Sequence, residues 1–250
     1  MQYLSKEKSK ELKKLLMKKY RDQRKLLLVE GIRTIKQLST YQIPLLEIYC
    51  TEEEIEHYSD IISQISSESV FIAKDFQLKQ LSSAETPQSL IALVEMKTPE
   101  FVDNERLLFI DRVSNPGNLG TIFRVAKAAL IDGIILSPEC CDIYNPKVVR
   151  ASMGTVFALP SMISDYQYLK GIPNKVIITS LSKGVSIYDI ESNEHPYVLV
   201  VGSEATGINE ELVQIADKMI TIPMAGGIES LNVAVATSIC LYFLNRDILT

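Results

Sequence analysis

Three loops rich in glycine, asparagine and polar side chains, each following an apolar run, hold the residues best suited to chemistry. The first reads Asp111-Arg112-Val113-Ser114-Asn115-Pro116-Gly117-Asn118-Leu119-Gly120 and leads into a stretch that carries Arg124. The second reads Gly202-Ser203-Glu204-Ala205-Thr206-Gly207. The third reads Ile222-Pro223-Met224-Ala225-Gly226-Gly227-Ile228-Glu229-Ser230-Leu231-Asn232. Asn118 is placed to cap a helix over 119–130, because an amide oxygen accepts the orphan N–H groups of a first turn. Arg124, roughly one and a half turns in, then projects near the loop. Two glycines bracket the second loop, so backbone there can approach a ligand closely or take positive φ. Ser230 is placed to cap a final helix over 231–245, which leaves Asn232 in its first turn, where a polar amide is not needed. Each feature also has a plain structural reading as a cap, a turn or a surface charge. Taken together they offer a polar ligand site of amide, hydroxyl, carboxylate and guanidinium groups.

These loops need a scaffold that presents them side by side, and the rest of the chain reads as one. Strands alternate with helices along the chain, and several strands are apolar throughout, as in a parallel sheet covered on both faces. Expected strands lie at 26–29, 46–50, 70–73 and 90–94, then at 107–110, 133–136, 155–158, 176–179, 197–201 and 219–222. Expected helices lie at 5–20, 31–38, 53–65 and 75–81, then at 119–130, 146–151, 209–216 and 231–245. The polar, proline-containing segment from Lys97 to Glu105 reads as a linker. It separates a domain over 1–97 from one over 105–250. In open α/β sheets, loops at the carboxyl ends of strands are the usual ligand sites.

Composition narrows the field. The 250 residues are 46% apolar and 23% charged, the profile of a globular chain with a full-sized core. Neither G-x-G-x-x-G nor G-x-x-x-x-G-K-[ST] occurs, which disfavours Rossmann dehydrogenases, Rossmann-type methyltransferases and P-loop NTPases. HExxH and GxSxG are absent too. Cys50, Cys140, Cys141 and Cys240 form no CxxC pair and only two histidines are present, so no metal site and no disulfide framework are expected. The apolar C-terminal stretch is too short and too polar for a membrane span. The start, MQYLSKEKSK, has no apolar signal region, and a reduced cytoplasmic location is expected. The net charge of −5 hides an asymmetry: residues 1–36 hold twelve Lys and Arg against four Asp and Glu, the rest fourteen against twenty-seven. A basic arm on an acidic body fits a polyanionic partner met through one end. A solvated helix face is the plain alternative.

At the three loops the sequence resembles the SpoU-type (TrmH-type) RNA ribose 2′-O-methyltransferases of the SPOUT superfamily. The first motif is matched by Asn115-Pro116-Gly117-Asn118-Leu119-Gly120 with Arg124. The second is matched by Gly202-Ser203-Glu204 and Gly207, and the third by Ile222-Pro223-Met224 with Ser230-Leu231-Asn232-Val233-Ala234-Val235-Ala236. Residues 18–95, with Lys19-Tyr20-Arg21-Asp22 and Leu28-Val29-Glu30-Gly31, are similar to the small substrate-binding domain many members carry. Pro146-Lys147-Val148-Val149-Arg150-Ala151-Ser152-Met153-Gly154 also matches a familiar stretch.

The resemblance implies an α/β fold whose C-terminal methyltransferase domain is trefoil-knotted and follows a small α/β substrate-binding domain. It implies S-adenosyl-L-methionine bound bent in the knot, contacted at Gly202, Ile222 and Leu231 with Thr179 nearby, and a homodimer. It assigns catalysis to Arg124, Asn118, Glu204, Ser230 and Asn232, with Arg124 as proton acceptor or as stabiliser of a developing oxyanion. RNA contacts are expected at Lys147, Arg150, Lys18, Lys19 and Arg21. Ala205 and Ala234 stand where many members have glycine and serine. The expected function is 2′-O-methylation of RNA, ribosomal before transfer RNA. Non-catalytic RNA binding or ribosome assembly on the same fold is the main rival. Small-molecule binding with a basic oligomerisation arm is a third.

Overall fold

The computed structural model describes residues 1–102, 105–181, 183–190, 194–203 and 207–249. The chain divides into two compact units: Met1–Lys97 with Tyr144–Ala158, and Thr98–Ile143 with Leu159–Thr250. The stretch 144–158, which alternation along the sequence places with the second set of elements, thus packs with the first.

In the first unit, β1 (Gln2–Tyr3), β2 (Leu26–Glu30), β3 (Glu47–Cys50), β4 (Val70–Ile72) and β5 (Leu90–Glu95) form a sheet ordered β1-β4-β3-β5-β2. Here β5 runs antiparallel to β2 and β3, while β1 and β3 run parallel to β4. The helices are α1 (Lys6–Lys13), α2 (Lys18–Arg24), α3 (Ile32–Thr40), α4 (Ser59–Ile62) and α5 (Asp75–Leu81). The basic helix expected over 5–20 is therefore broken. After α1 a 3-10 turn, Lys14–Leu16, leads to extended Met17, and α2 begins anew. Arg21 stabilises the break: it is buried and donates to the Leu15 and Leu16 carbonyls (3.3 and 2.9 Å), which an unbroken helix would have satisfied itself. The helix expected over 53–65 likewise shrinks to a turn at Glu52–Glu54 and α4. Only Tyr58, Ile61 and Ile62 supply a buried stripe at helical spacing.

In the second unit, the described strands are β6 (Arg106–Asp111), β7 (Gly133–Leu136), β8 (Ser161–Ile163), β9 (Lys175–Ser180), β10 (Val185–Ser186), β11 (Tyr197–Gly202) and β12 (Lys218–Thr221). They form one parallel sheet ordered β10-β12-β9-β11-β6-β7-β8. Its centre is apolar on both faces, with Leu107, Phe109, Val198, Val200 and Ile177 buried. The helices are α6 (Pro116–Ala128), α8 (Glu210–Gln214) and α9 (Val233–Leu244), and α7 (Pro146–Ala151) packs on β2 in the first unit. The strand expected over 155–158 is a 3-10 turn, Thr155–Phe157. Gly154 takes a left-handed φ of 79° there, and the Thr155 hydroxyl folds back onto the Ser152 carbonyl at 3.0 Å. The strand that joins the sheet instead is β8.

Candidate active site

The N-termini of α6 and α9 are capped by Asn115 and Asn232, where the spacing suggests Asn118 and Ser230. Asn115 caps α6, its side-chain oxygen accepting from the Gly117 and Asn118 amides at 2.8 and 3.2 Å, with Pro116 at the first helical position. Asn118 therefore lies inside the helix and does not cap it. The Asn-Pro pair is the signal that marks this start, because proline's missing N–H costs nothing at a first helical position. At α9 the cap is Asn232, accepting from the Ala234 and Val235 amides at 3.0 and 3.3 Å, and not Ser230. The amide that looked out of place in the sequence thus has a structural task.

Its other end has a second task. Asn232 Nδ2 donates to Asn118 Oδ1 at 3.0 Å across 114 residues of sequence. The contact joins the N-termini of α6 and α9, which pack on each other. Each terminus carries a partial positive charge, so their meeting point favours an anion or developing negative charge. Arg124 is exposed on α6, seven residues after exposed Gly117 and so on the same face. Helical side chains lean toward the N-terminus, and Gly117 presents no side chain to block a reach back along this face.

Beside these termini lies a cleft of about 380 Å³, lined among others by Thr179, Gly202, Ile222, Ser230 and Leu231. Volumes of ~300–1,000 Å³ are typical of small-molecule sites. Its walls are mostly apolar, with Val201, Ile208 and Ile220 contributing. Burial pushes the thiol of Cys240, also in the lining, up to about 12, so it stays neutral. Gly202 must be glycine: a Cβ there would sit 2.5 Å from the carbonyl of Gly207. The Gly207 amide in turn donates to the Ser203 carbonyl at 2.8 Å. Glu204 and Ala205, between them, lie outside the described residues.

One residue that sequence reasoning passed over anchors this loop. Asp111, the last residue of β6, is fully buried. It accepts from Arg112 through Nε and Nη2 (3.1 and 3.0 Å), from the Tyr166 hydroxyl (2.9 Å) and from the Asn209 amide (2.9 Å). Arg112 also donates to the Gly207 carbonyl at 3.2 Å. Burial, with the bond to Asp111, pushes the Tyr166 phenol up to about 12. The carboxylate thereby ties the loop that opens α6 to the loop that lines the cleft. A carboxylate directly after the four apolar residues 107–110 was the available signal.

The expected RNA contacts lie in the first unit and differ in kind. Lys147 and Lys19 are exposed, and Lys18 pairs with Asp22 at 2.9 Å along α2. Arg150 pairs with Glu30 at 2.8 Å. Arg21, buried against its own chain, presents no charge to a partner. Among the described residues no group of three or more His, Cys, Asp and Glu side chains could hold a metal, and no helix is long and apolar enough to cross a membrane.

Both parts of the chain are similar to known proteins. Residues 6–92 match the MRM3-like substrate binding domain. The 23S rRNA (guanosine(2553)-2′-O)-methyltransferase RlmP of Bacillus subtilis (strain 168) is 31% identical over 242 residues, covering 95% of this chain and 96% of that protein. A 23S rRNA (uridine(2479)-2′-O)-methyltransferase of Streptomyces viridochromogenes is 29% identical over 233 residues, covering 86% of this chain and 80% of the other. The crystal structure of an AdoMet-bound rRNA methyltransferase from Sinorhizobium meliloti superposes with a TM-score of 0.84 at 28% identity, over 100% of this chain and 99% of that one. Residues 105–242, which contain both helix termini and the cleft, match the SpoU rRNA Methylase family model, and the chain belongs to that family.

Proposed function

We propose that this protein is an S-adenosylmethionine-dependent ribose 2′-O-methyltransferase acting on 23S ribosomal RNA. The observation that carries the reading is the Asn118–Asn232 contact, which joins two helix N-termini beside a cleft of cofactor size. The cleft suits the cofactor: apolar walls for its adenosine, and at Gly202 a strand end packed so closely on the Gly207 backbone that no Cβ fits, which fixes the loop lining the cleft. Gly202, Ile222 and Leu231 would hold the group by backbone and apolar contact, with Thr179 at the edge. When bound, it supplies an electrophilic methyl on a sulfonium.

The chain's own residues then handle the ribose. A 2′-hydroxyl is a weak nucleophile until its proton leaves, and negative charge grows on its oxygen as it attacks. A guanidinium is a poor proton acceptor, so the role of Arg124 is to stabilise that oxygen electrostatically while the proton passes to solvent. The paired N-termini of α6 and α9 add to the same field, and Asn118, Ser230 and Asn232 orient the ribose and Arg124. Glu204 completes the set by motif position. Lys147, Arg150, Lys18 and Lys19 contribute RNA contacts from the substrate-binding unit (1–97 with the 144–158 stretch), and the rest of 105–250 forms the catalytic domain.

The reading carries with it the family's trefoil knot, a homodimer and a cytoplasmic location. Val235 and Tyr242, 48% and 50% exposed and seven residues apart on α9, offer an apolar face that supports the dimer.

The test is transfer of labelled methyl from S-adenosylmethionine to total RNA from a strain lacking the gene. Label in 23S rRNA as a 2′-O-methyl nucleoside is expected, with Arg124→Ala lowering the rate at least a hundredfold, the scale of losing an oxyanion donor. Arg124→Lys should retain partial activity with an unshifted pH profile. Cofactor binding with no label in any RNA would overturn the reading in favour of non-catalytic binding.

A further inference from the structure

A second cleft, of about 760 Å³, lies wholly within the first unit and counts Lys147 and Arg150 in its lining. Gly31, at φ +98°, is the cap residue before α3 and supplies no capping side chain, so no side chain caps the first-turn amides of α3, whose residues 32–34 line the cleft. Thr34, in that turn, is 4% exposed and lines the cleft. Three cations stand around these groups: Arg33 and Lys147, both exposed and without an ion pair among the described residues, and Arg150.

Arg150 is held in place from behind. Glu30, 7% exposed, accepts from Arg150 Nη1 at 2.8 Å, from the Ser83 hydroxyl and amide at 2.9 and 3.3 Å, and from the Ser82 hydroxyl. The carboxylate is saturated by these donors, and only one guanidinium nitrogen is engaged. The remaining donors of the Arg150 fork are left for a ligand, on a side chain 39% exposed. One exposed carboxylate, Glu85, stands against the three cations in the lining.

Helix amides without a side-chain cap, the hydroxyl of a threonine that lines the cleft and a pre-positioned arginine fork are what an oxyanion with several acceptor oxygens requires. We infer that this cleft binds a phosphodiester of the RNA substrate, with Arg33, Lys147, Arg150 and the α3 N-terminus as donors and Glu30 as positioning residue for Arg150. Ile32 and Met153 give the cleft an apolar side against which the attached nucleotide packs. The inference rests on the reading of the chain as an RNA methyltransferase and adds an anion site remote in sequence from its three motifs.

The experiment uses the full chain and unmethylated 23S rRNA from a strain lacking the gene. RNA affinity is measured across a salt series, S-adenosylmethionine affinity by calorimetry on the same samples, and methyl transfer alongside. The double variant Arg33→Ala, Lys147→Ala changes two exposed side chains and is expected to fold. It should bind the rRNA at least tenfold more weakly, with a log K against log salt slope shallower by about one, and bind the cofactor as before. Arg150→Lys, which keeps charge but loses the fork, should also weaken RNA binding. If wild type methylates rRNA and the double variant shows the same affinity and slope, the anion site is overturned and the enzymatic reading stands. If wild type binds rRNA and transfers no methyl while the double variant loses binding, the site stands and the enzymatic reading fails.

Discussion

Asn232 uses both ends of its amide: the oxygen caps α9 and the nitrogen holds Asn118. The two tasks separate by substitution. Asn232→Ala should destabilise the protein by about 1 kcal/mol through the lost cap and reduce methyl transfer at least tenfold. Asn232→Ser restores a capping oxygen but no donor toward Asn118, so thermal unfolding should return to near wild type while activity stays low. Recovery of both together would show that the cap alone matters. Asp111 works through its neighbours in a comparable way, since its four acceptor contacts fix Arg112, Tyr166 and the backbone at Asn209. Neither role was legible from residue type, because each depends on a partner distant in sequence.

At the scale of the element, β11 ends in Gly202 and delivers the backbone of the second loop to the cleft. The close approach of Gly207 permits no side chain there. Gly202→Ala should therefore lower cofactor affinity at least tenfold by calorimetry, with the sheet intact by circular dichroism; unchanged affinity would mean the loop relaxes freely. Regular elements with strong patterns were readable: β7, α5 and α7 fall where the spacing places them, and β6, β9 and β11 within a residue at either end. Elements at 5–20, 53–65 and 155–158 were not, since their ends depend on Arg21, on a partly apolar stripe and on a left-handed glycine. The two-residue strands β1 and β10 carry no pattern long enough to read.

For the whole molecule, charge links the second unit's stability to pH. Glu194, 7% exposed, is bonded to Lys218 and, at 3.2 Å, to Lys175. Chiefly the Lys218 bond, opposed by burial and aided by Lys175, holds its carboxyl below the ordinary 4.5. The unfolded chain therefore takes up this proton first as pH falls, so the contribution is complete above about 4.5 and is lost as pH drops through the lowered value. Unfolding followed from pH 6 to pH 3 should show a shallower decline in Glu194→Gln than in wild type; parallel curves would remove Glu194 from the acid response. The sequence by itself determined the α/β class, the apolar strands and the position of three polar loops, because these follow from local periodicity and residue type. Tertiary structure alone decided which asparagine caps and which one reaches across, that Arg21 turns inward while Arg150 is braced by Glu30, and that residues 144–158 pack with the first unit. Those outcomes depend on burial and on contacts between distant segments, where a buried polar group must find a partner that local sequence does not name.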